Sequence, residues 1–328
     1  MAPPRETRIF DPALGFAPIE DVFVATDSTL ARRGNRWWMY LAGKLLGREG
    51  IDLFAASLPV GEPLSAIGWT LLPDATQPTR VALLAGDERS SPWDRKGGRH
   101  CPSYVEGWDP RSSRRVERIY YAGGATNVWG PYTIGYLEWD GGRWVDQPEP
   151  AFVAEEPWEH GSVYEPNLVH ADGMWKMWYV AGSNREDYLV QGYAESADGR
   201  SGWSGRRVFF PPEERVFDFA VTRRPGGYEA VFSRVWLGSA APPAETGLWW
   251  CCAATPSADP AGWSRPVQIL GAEDRGWHAG PWKPCLRYGE RRPEGMFVFF
   301  DGQYVVPGRA GFPYVFTLGC LELDRPSA

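Results

Sequence analysis

The stretch Glu165-Pro166-Asn167-Leu168-Val169-His170 reads as a strand, Ala171-Asp172-Gly173 as a turn, and Met177-Trp178-Tyr179-Val180-Ala181-Gly182 as the aromatic strand that returns. The phrase occurs five times. Its other aromatic strands are Trp38-Met39-Tyr40-Leu41-Ala42-Gly43, Ile119-Tyr120-Tyr121-Ala122-Gly123, Ala230-Val231-Phe232-Ser233 and Phe297-Val298-Phe299-Phe300-Asp301. Aligning the strand before each puts Asp27, Cys101, Glu165, Asp218 and Lys283 in equivalent places, at intervals of 74, 64, 53 and 65 residues. The mean period of 64 takes up 320 of the 328 residues in five units. Regular self-similarity of this kind marks an array of repeated supersecondary units.

Each unit reads as four short strands. A third strand runs through Tyr188–Ala194 in the central copy, and a fourth follows a turn carrying Trp, as in Asp198–Ser204 and again in Asp259–Ser264. Strands bounded by Gly, Asp and Pro turns make an all-β chain. Four-stranded antiparallel units around an axis are propeller blades. The expected architecture is therefore a five-bladed β-propeller forming one domain over residues 1–328. Arg8-Ile9-Phe10 is expected to add a strand to the last blade and so hide an edge. The departures from the repeat, Gln77–Arg99 and Arg234–Glu245, read as loops rimming one mouth, and only Ala42–Leu46 gives a weak helical signal.

Composition narrows the function. The chain has 18 Trp, 14 Tyr and 15 Phe, which suit strands and give flat faces for sugar rings. The formal net charge is −7 and no long basic run occurs, so nucleic acid is not an expected partner. No apolar signal core or membrane-length stretch is seen, giving an expected cytoplasmic location and no membrane partner. Arg32-Arg33 and Arg114-Arg115 read as solvated loop charges. The five cysteines (Cys101, Cys251, Cys252, Cys285, Cys320) lack zinc-like spacing and are expected to be free thiols.

The first strand of a blade lines the channel, and alternation turns its opening residue and the one two places on toward the axis. Asp27, Cys101, Glu165, Asp218 and Lys283 should thus converge. Carboxylates crowded together split their proton affinities, one raised while another stays ionised. That is the acid and base pair a glycosidase requires.

Asp27-Ser28-Thr29-Leu30 opening blade one and Glu165-Pro166-Asn167 opening blade three resemble the five-bladed propeller glycosidases of glycoside hydrolase families 43, 32, 62 and 68. The resemblance covers the chain as a repeat but rests on a few residues per blade. It implies Asp27 as base or nucleophile and Glu165 as general acid. It also implies an Asp opening blade two, where this chain has Cys101-Pro102-Ser103. Asp218 would then supply the missing carboxylate, with Asp94 and Asp109 as alternatives. Carboxyl separation would set the stereochemistry, about 5–5.5 Å for retention and roughly 6.5–9.5 Å for inversion.

Three of the four histidines, His100, His160 and His278, precede blade openings and are expected at the pocket, whereas His170 reads as structural. Trp129, Trp158, Trp277 and Trp282 are candidate pocket walls, and Arg99 and Arg234 candidate anion partners. The catalytic expectation is Asp27, Glu165 and Asp218. The substrate-binding expectation is His100, Cys101, Trp129, His160, His278, Trp282 and Lys283. No cofactor and no metal are expected, and the partner is a small-molecule or oligosaccharide substrate. Two alternatives stand beside hydrolysis. One is a non-hydrolytic reaction (elimination, isomerisation or cyclisation) run by the His, Cys and Lys of the same pocket. The other is a carbohydrate-binding protein without catalysis.

Overall fold

The computed structural model describes residues 4–85, 92–95, 98–126, 130–183, 188–235, 244–273, 275–278, 280–289, 295–305 and 314–327. Within them the repeated phrase builds five antiparallel sheets of four strands, the blades of a propeller. The inner strands are Thr26–Arg33, Gly98–Asp109, Val163–Ala171, Val216–Arg224 and Trp282–Tyr288. In the last blade the N-terminal strand Arg5–Phe10 pairs with Tyr314–Asp324 as its outermost member. Chain start and chain end therefore share one sheet, which closes the ring.

The second strands are apolar almost throughout rather than alternating, because both blade faces are covered. Met39, Leu41 and Phe54 pack against Phe297 and Phe299 of the neighbouring blade. Tyr40 and Ala42 on the opposite side of blade one pack with Ile119 and Tyr121 of blade two. Similar cores fill the remaining interfaces. Sheets buried on two faces lose the period-two signature.

The Trp beside each fourth strand has a place in this packing. Trp69 meets Phe299 edge-on at 6.0 Å, Trp144 meets Tyr40 at 5.3 Å, Trp203 meets Tyr120 at 6.5 Å and Trp263 meets Trp178 at 6.1 Å. Every one of these contacts reaches back to the preceding blade. The Ala171-Asp172-Gly173 turn also behaves as read. Asp172 and Gly173 have φ of 54° and 76°, the two left-handed residues of a tight hairpin.

Some local expectations change. Ala42–Leu46 is not helical, and among the described residues the only helices are four single 3-10 turns. None is long and apolar enough to cross a membrane. The arginine pairs are strand residues with partners rather than free loop charges. Arg33 lies over the Trp139 ring at 3.8 Å and pairs with Glu117, while Arg114 and Arg115 pair with Glu138 and Glu106.

Candidate active site

All five opening residues are left-handed, which their side chains disfavour. Asp27, Cys101, Glu165, Asp218 and Lys283 have φ of 48°, 56°, 51°, 61° and 47°. Such a conformation costs about 1–2 kcal/mol per residue, and here it recurs once in every blade. At the same points the ladder to the second strand slips, between Thr26 and Thr29, His100 and Ser103, Tyr164 and Asn167, Phe217 and Phe219, and Trp282 and Cys285. A bulge of this kind re-aims a side chain. Simple alternation along the strand does not describe these positions.

The inner strands have no neighbour on the axial side, so their N–H groups need partners. Side chains of the preceding blade supply them. Asp27 Oδ2 accepts from Cys101 N at 3.0 Å and Asp218 Oδ2 from Lys283 N at 3.1 Å. One level further along the axis, Thr29 Oγ1, Ser103 Oγ and Asn167 Oδ1 accept from Tyr104, Leu168 and Val221. Asp27 and Asp218 thus tie adjacent blades together as well as bringing carboxyl groups to the axis.

Glu165 is placed differently. Its Oε1 accepts from Cys101 Sγ at 2.8 Å and its Oε2 pairs with Lys283 Nζ. Lys283 Nζ also lies 3.5 Å from Asp218 Oδ1. Glu165 and Lys283 are only 7% and 8% exposed, and Asp27 is the most open of the five. Cys101 stands at the blade-two corner, in contact with Glu165 and with His100 Nδ1 at 2.7 Å. The two carboxylates considered as its substitutes lie elsewhere. Asp94 pairs with Arg99 and Tyr121, and Asp109 with Arg200, Ser112 and the N–H of Arg111.

A fourth carboxylate joins the ring. Asp301, from the second strand of the last blade, accepts the N–H of Asp27 with both oxygens at 2.9 and 3.1 Å. It pairs in register with Trp282, where the equivalent positions in blades one to three are Ala42, Ala122 and Val180. An acid at a position that is apolar in blades one to three and Ser233 in blade four was the available signal. Asp301 was read only as the end of a strand.

Four buried or half-buried carboxyl groups facing one ammonium cannot all ionise. Burial alone would raise Glu165, but the Lys283 charge, together with hydrogen bonding from Asp218 and Cys101 and the nearby His100, holds the carboxyl below its ordinary value. Burial, followed by the Glu165 charge, pushes Asp218 well up. Burial and the Asp27 charge do the same to Asp301. Burial opposes the Lys283 charge, but the surrounding carboxylates raise its proton affinity well above the ordinary value. The Cys101 thiol is pushed up by burial and by Asp27 and Glu165, and burial lowers His100 toward the neutral imidazole. The ring therefore favours the carboxylate at Glu165, the protonated form at Asp218, the ammonium at Lys283 and the thiol at Cys101. Glu165 and Asp218 titrate as a unit.

Asp27, His100 and Cys101 each turn one ligand atom into a group no wider than 4.8 Å. Mixed O, N and S donors of this kind suit a zinc-type ion, whereas the sequence reading expects no metal.

Other expected site residues are dispersed. His278 is fully buried, bonded to Glu6 of the N-terminal strand at 2.8 Å and packed on Trp277 and Phe300. This corrects its assignment to the pocket: the closing seam occupies its ring. His160 is an exposed left-handed cap on the turn Pro157–Glu159. Trp282 precedes Lys283 and stacks on Phe316 at 6.1 Å, and Trp158 stacks on Tyr179. Trp277 is taken up by Phe300. Arg99 and Arg234 are committed to Asp94 and Asp146 and to Glu214. Trp129 lies outside the described residues, as does most of Arg234–Glu245.

No protein-family model matches the chain, and no curated protein matches it. Solved structures do. A thermostable family-43 glycoside hydrolase superposes with a TM-score of 0.62 at 14% identity, covering 95% of this chain and 93% of that one. The α-L-arabinofuranosidase from Podospora anserina, in complex with cellotriose, gives 0.59 at 11%, covering 97% and 95%. A structure from the GH130 family of mannoside phosphorylases and glycoside hydrolases also gives 0.59 at 11%, covering 97% and 94%. Across almost its whole length, this chain has the fold of the five-bladed glycoside hydrolase propellers.

Proposed function

We propose that the protein is an enzyme that cleaves the glycosidic bond of a furanoside or short oligosaccharide, with water as second substrate. One observation carries this reading: the carboxyl groups of Asp27, Glu165, Asp218 and Asp301 converge with Lys283 at the axis of a glycoside hydrolase fold. Glycoside cleavage needs one protonated and one ionised carboxyl. The sequence resemblance gives the acid role to Glu165, but its pairing with Lys283 favours Asp218 as the group that delivers the proton to the leaving oxygen. Glu165, next to it and held ionised, stabilises the positive charge that develops on the sugar. Asp27, the most open carboxylate of the ring, activates water or attacks the sugar. Cys101 keeps Glu165 in place where the resembled families have an Asp.

The test is product analysis on a panel of furanosides and short oligosaccharides. Wild type should release sugar, and Asp27→Asn and Asp218→Asn should each lose about 10²-fold or more while remaining folded. Full activity in either variant would remove that residue from the mechanism, and no release from any glycoside would sink hydrolysis.

A second reading is favoured by the engagement of both Glu165 oxygens, by Cys101 and by Lys283. A carboxylate so held suits a non-hydrolytic reaction in which Lys283 and neutral His100 move protons. It predicts strong sensitivity to His100→Ala and no turnover of aryl glycosides.

A further inference from the structure

Three potential metal ligands meet where blades one and two open onto the axis. Asp27, His100 and Cys101 each place one donor atom in a set no wider than 4.8 Å, the one such group found among the described residues. Donors held at about 2.0–2.3 Å by a tetrahedral ion lie roughly 3.3–3.6 Å from one another. His100 Nδ1 stands 2.7 Å from Cys101 Sγ, a little closer than that, and the widest pair is a little looser. Side-chain shifts of about an ångström would bring all three to bonding distance of one ion.

The backbone gathers these residues. Consecutive residues of a regular strand point to opposite faces, but the left-handed bulge at Cys101, with φ of 56°, brings the His100 ring and the Cys101 thiol into contact. Asp27 is tied to the same point, since its Oδ2 accepts from Cys101 N at 3.0 Å. His100 Nε2 has no hydrogen-bond partner among the described residues, so no carboxylate or carbonyl holds that nitrogen. His100 and Cys101 are buried, and Asp27 is half-buried. The charges also balance: Asp27 and a Cys101 thiolate together cancel a divalent ion. The nearby cation, Lys283, is already engaged by Glu165 and lies 3.5 Å from Asp218.

We propose that Asp27, His100 and Cys101 form a binding site for a zinc-type divalent ion. Three protein ligands leave the fourth position to water. Thiolate and imidazole select such an ion over calcium and magnesium, which take oxygen donors. As the sulfur–metal bond forms, the thiol proton passes to solvent and its hydrogen bond to Glu165 Oε1 is given up. The site is assigned to the substrate-free protein and does not rest on the hydrolytic reading. An ion on Asp27 would compete with the role given to that carboxylate there.

Equilibrium dialysis of the reduced, chelator-treated full chain against zinc, followed by metal analysis, tests it. Uptake should saturate at about one zinc per chain, with calcium and magnesium at the same concentration not taken up. Cobalt bound in place of zinc should show thiolate-to-cobalt charge-transfer absorption in the near ultraviolet. Cys101→Ser should abolish that absorption and weaken zinc at least about tenfold. Asp27→Asn, which keeps an acceptor for the Cys101 N–H, should weaken zinc by a similar factor. Cys252→Ser removes the one free thiol that is not buried, and should bind like wild type. No zinc uptake by wild type, uptake unchanged in Cys101→Ser or lost in Cys252→Ser, equal uptake of calcium, or bound cobalt without the thiolate absorption would overturn the proposal. Each of these readouts is taken without sugar, so such a failure leaves the proposed hydrolysis standing on its own product analysis.

Discussion

Replacing Lys283 with Met removes one ammonium and keeps most of the packing volume. The charge lost is the cation that pairs with Glu165 and Asp218 inside a ring also containing Asp27 and Asp301. Removing one partner of a buried pair costs about 3–5 kcal/mol, because the other is left buried and uncompensated. Lys283 is 8% exposed, so solvent screening gives little relief.

The pH dependence of this loss follows from the proton affinities. Glu165 is held low in the folded protein, so its contribution is present above its unfolded value and disappears as pH falls through the depressed folded one. Asp218 and Asp301 are raised, so the folded protein retains protons the unfolded chain has shed. Their contribution is favourable in acid and declines as pH rises from near 4 toward their folded values. Without Lys283 the depression of Glu165 is gone and a further proton is taken up instead. The Lys283→Met loss should therefore be about 3–5 kcal/mol at pH 8 and smaller at pH 5, by about 1.4 kcal/mol for each pKa unit by which the ring's affinity rises. Urea denaturation of both proteins at the two pH values measures it. A loss below about 1 kcal/mol, or one equal at both pH values, would refute the view that Lys283 is the counter-charge of the ring.

Asp301→Asn keeps an acceptor for the Asp27 N–H but removes a carboxyl whose ionisation is unfavourable. Denaturation curves should show it unchanged near pH 4 and no worse than wild type at pH 8, and a loss that grows with pH would contradict this. Glu6→Ala leaves buried His278 without its partner at the closing strand, and should cost about 1–3 kcal/mol, read by thermal unfolding. That loss should vanish in acid, because Glu6 is held low chiefly by its hydrogen bond to His278 and its contribution is present only above its unfolded value. Trp203→Ala opens the interface between blades two and three, and should cost about 3–5 kcal/mol, read by thermal unfolding.

The blades were legible because their aromatic second strands and Trp turns repeat, and packing on both faces demands those residues in every copy. The closing strand could be read from Arg8-Ile9-Phe10, since an array needs its edge hidden. The list of axial residues also came from aligning copies. What alignment could not give was the left-handed bulge at Asp27 and its four counterparts. Asp, Cys, Glu and Lys carry no local signal for that conformation, which the closeness of five strands imposes. Nor could it give the partner of Glu165: the Lys283 contact spans 118 residues, and the acid role proposed for Asp218 rests on it. His278 shows the converse error. Its spacing before Lys283 matched that of His160 before Glu165, but the last blade alone receives the N-terminal strand, and Glu6 claims the ring.

The central claim is that Asp218 delivers the proton, and leaving-group dependence tests it most directly. With a poor leaving group, such as an alkyl glycoside or an unmodified oligosaccharide, Asp218→Asn should lose about 10²–10⁴-fold in kcat/KM. With a dinitrophenyl glycoside of the same sugar, which departs without protonation, it should stay close to wild type. An equal loss on both substrates, or no loss on either, would contradict the account.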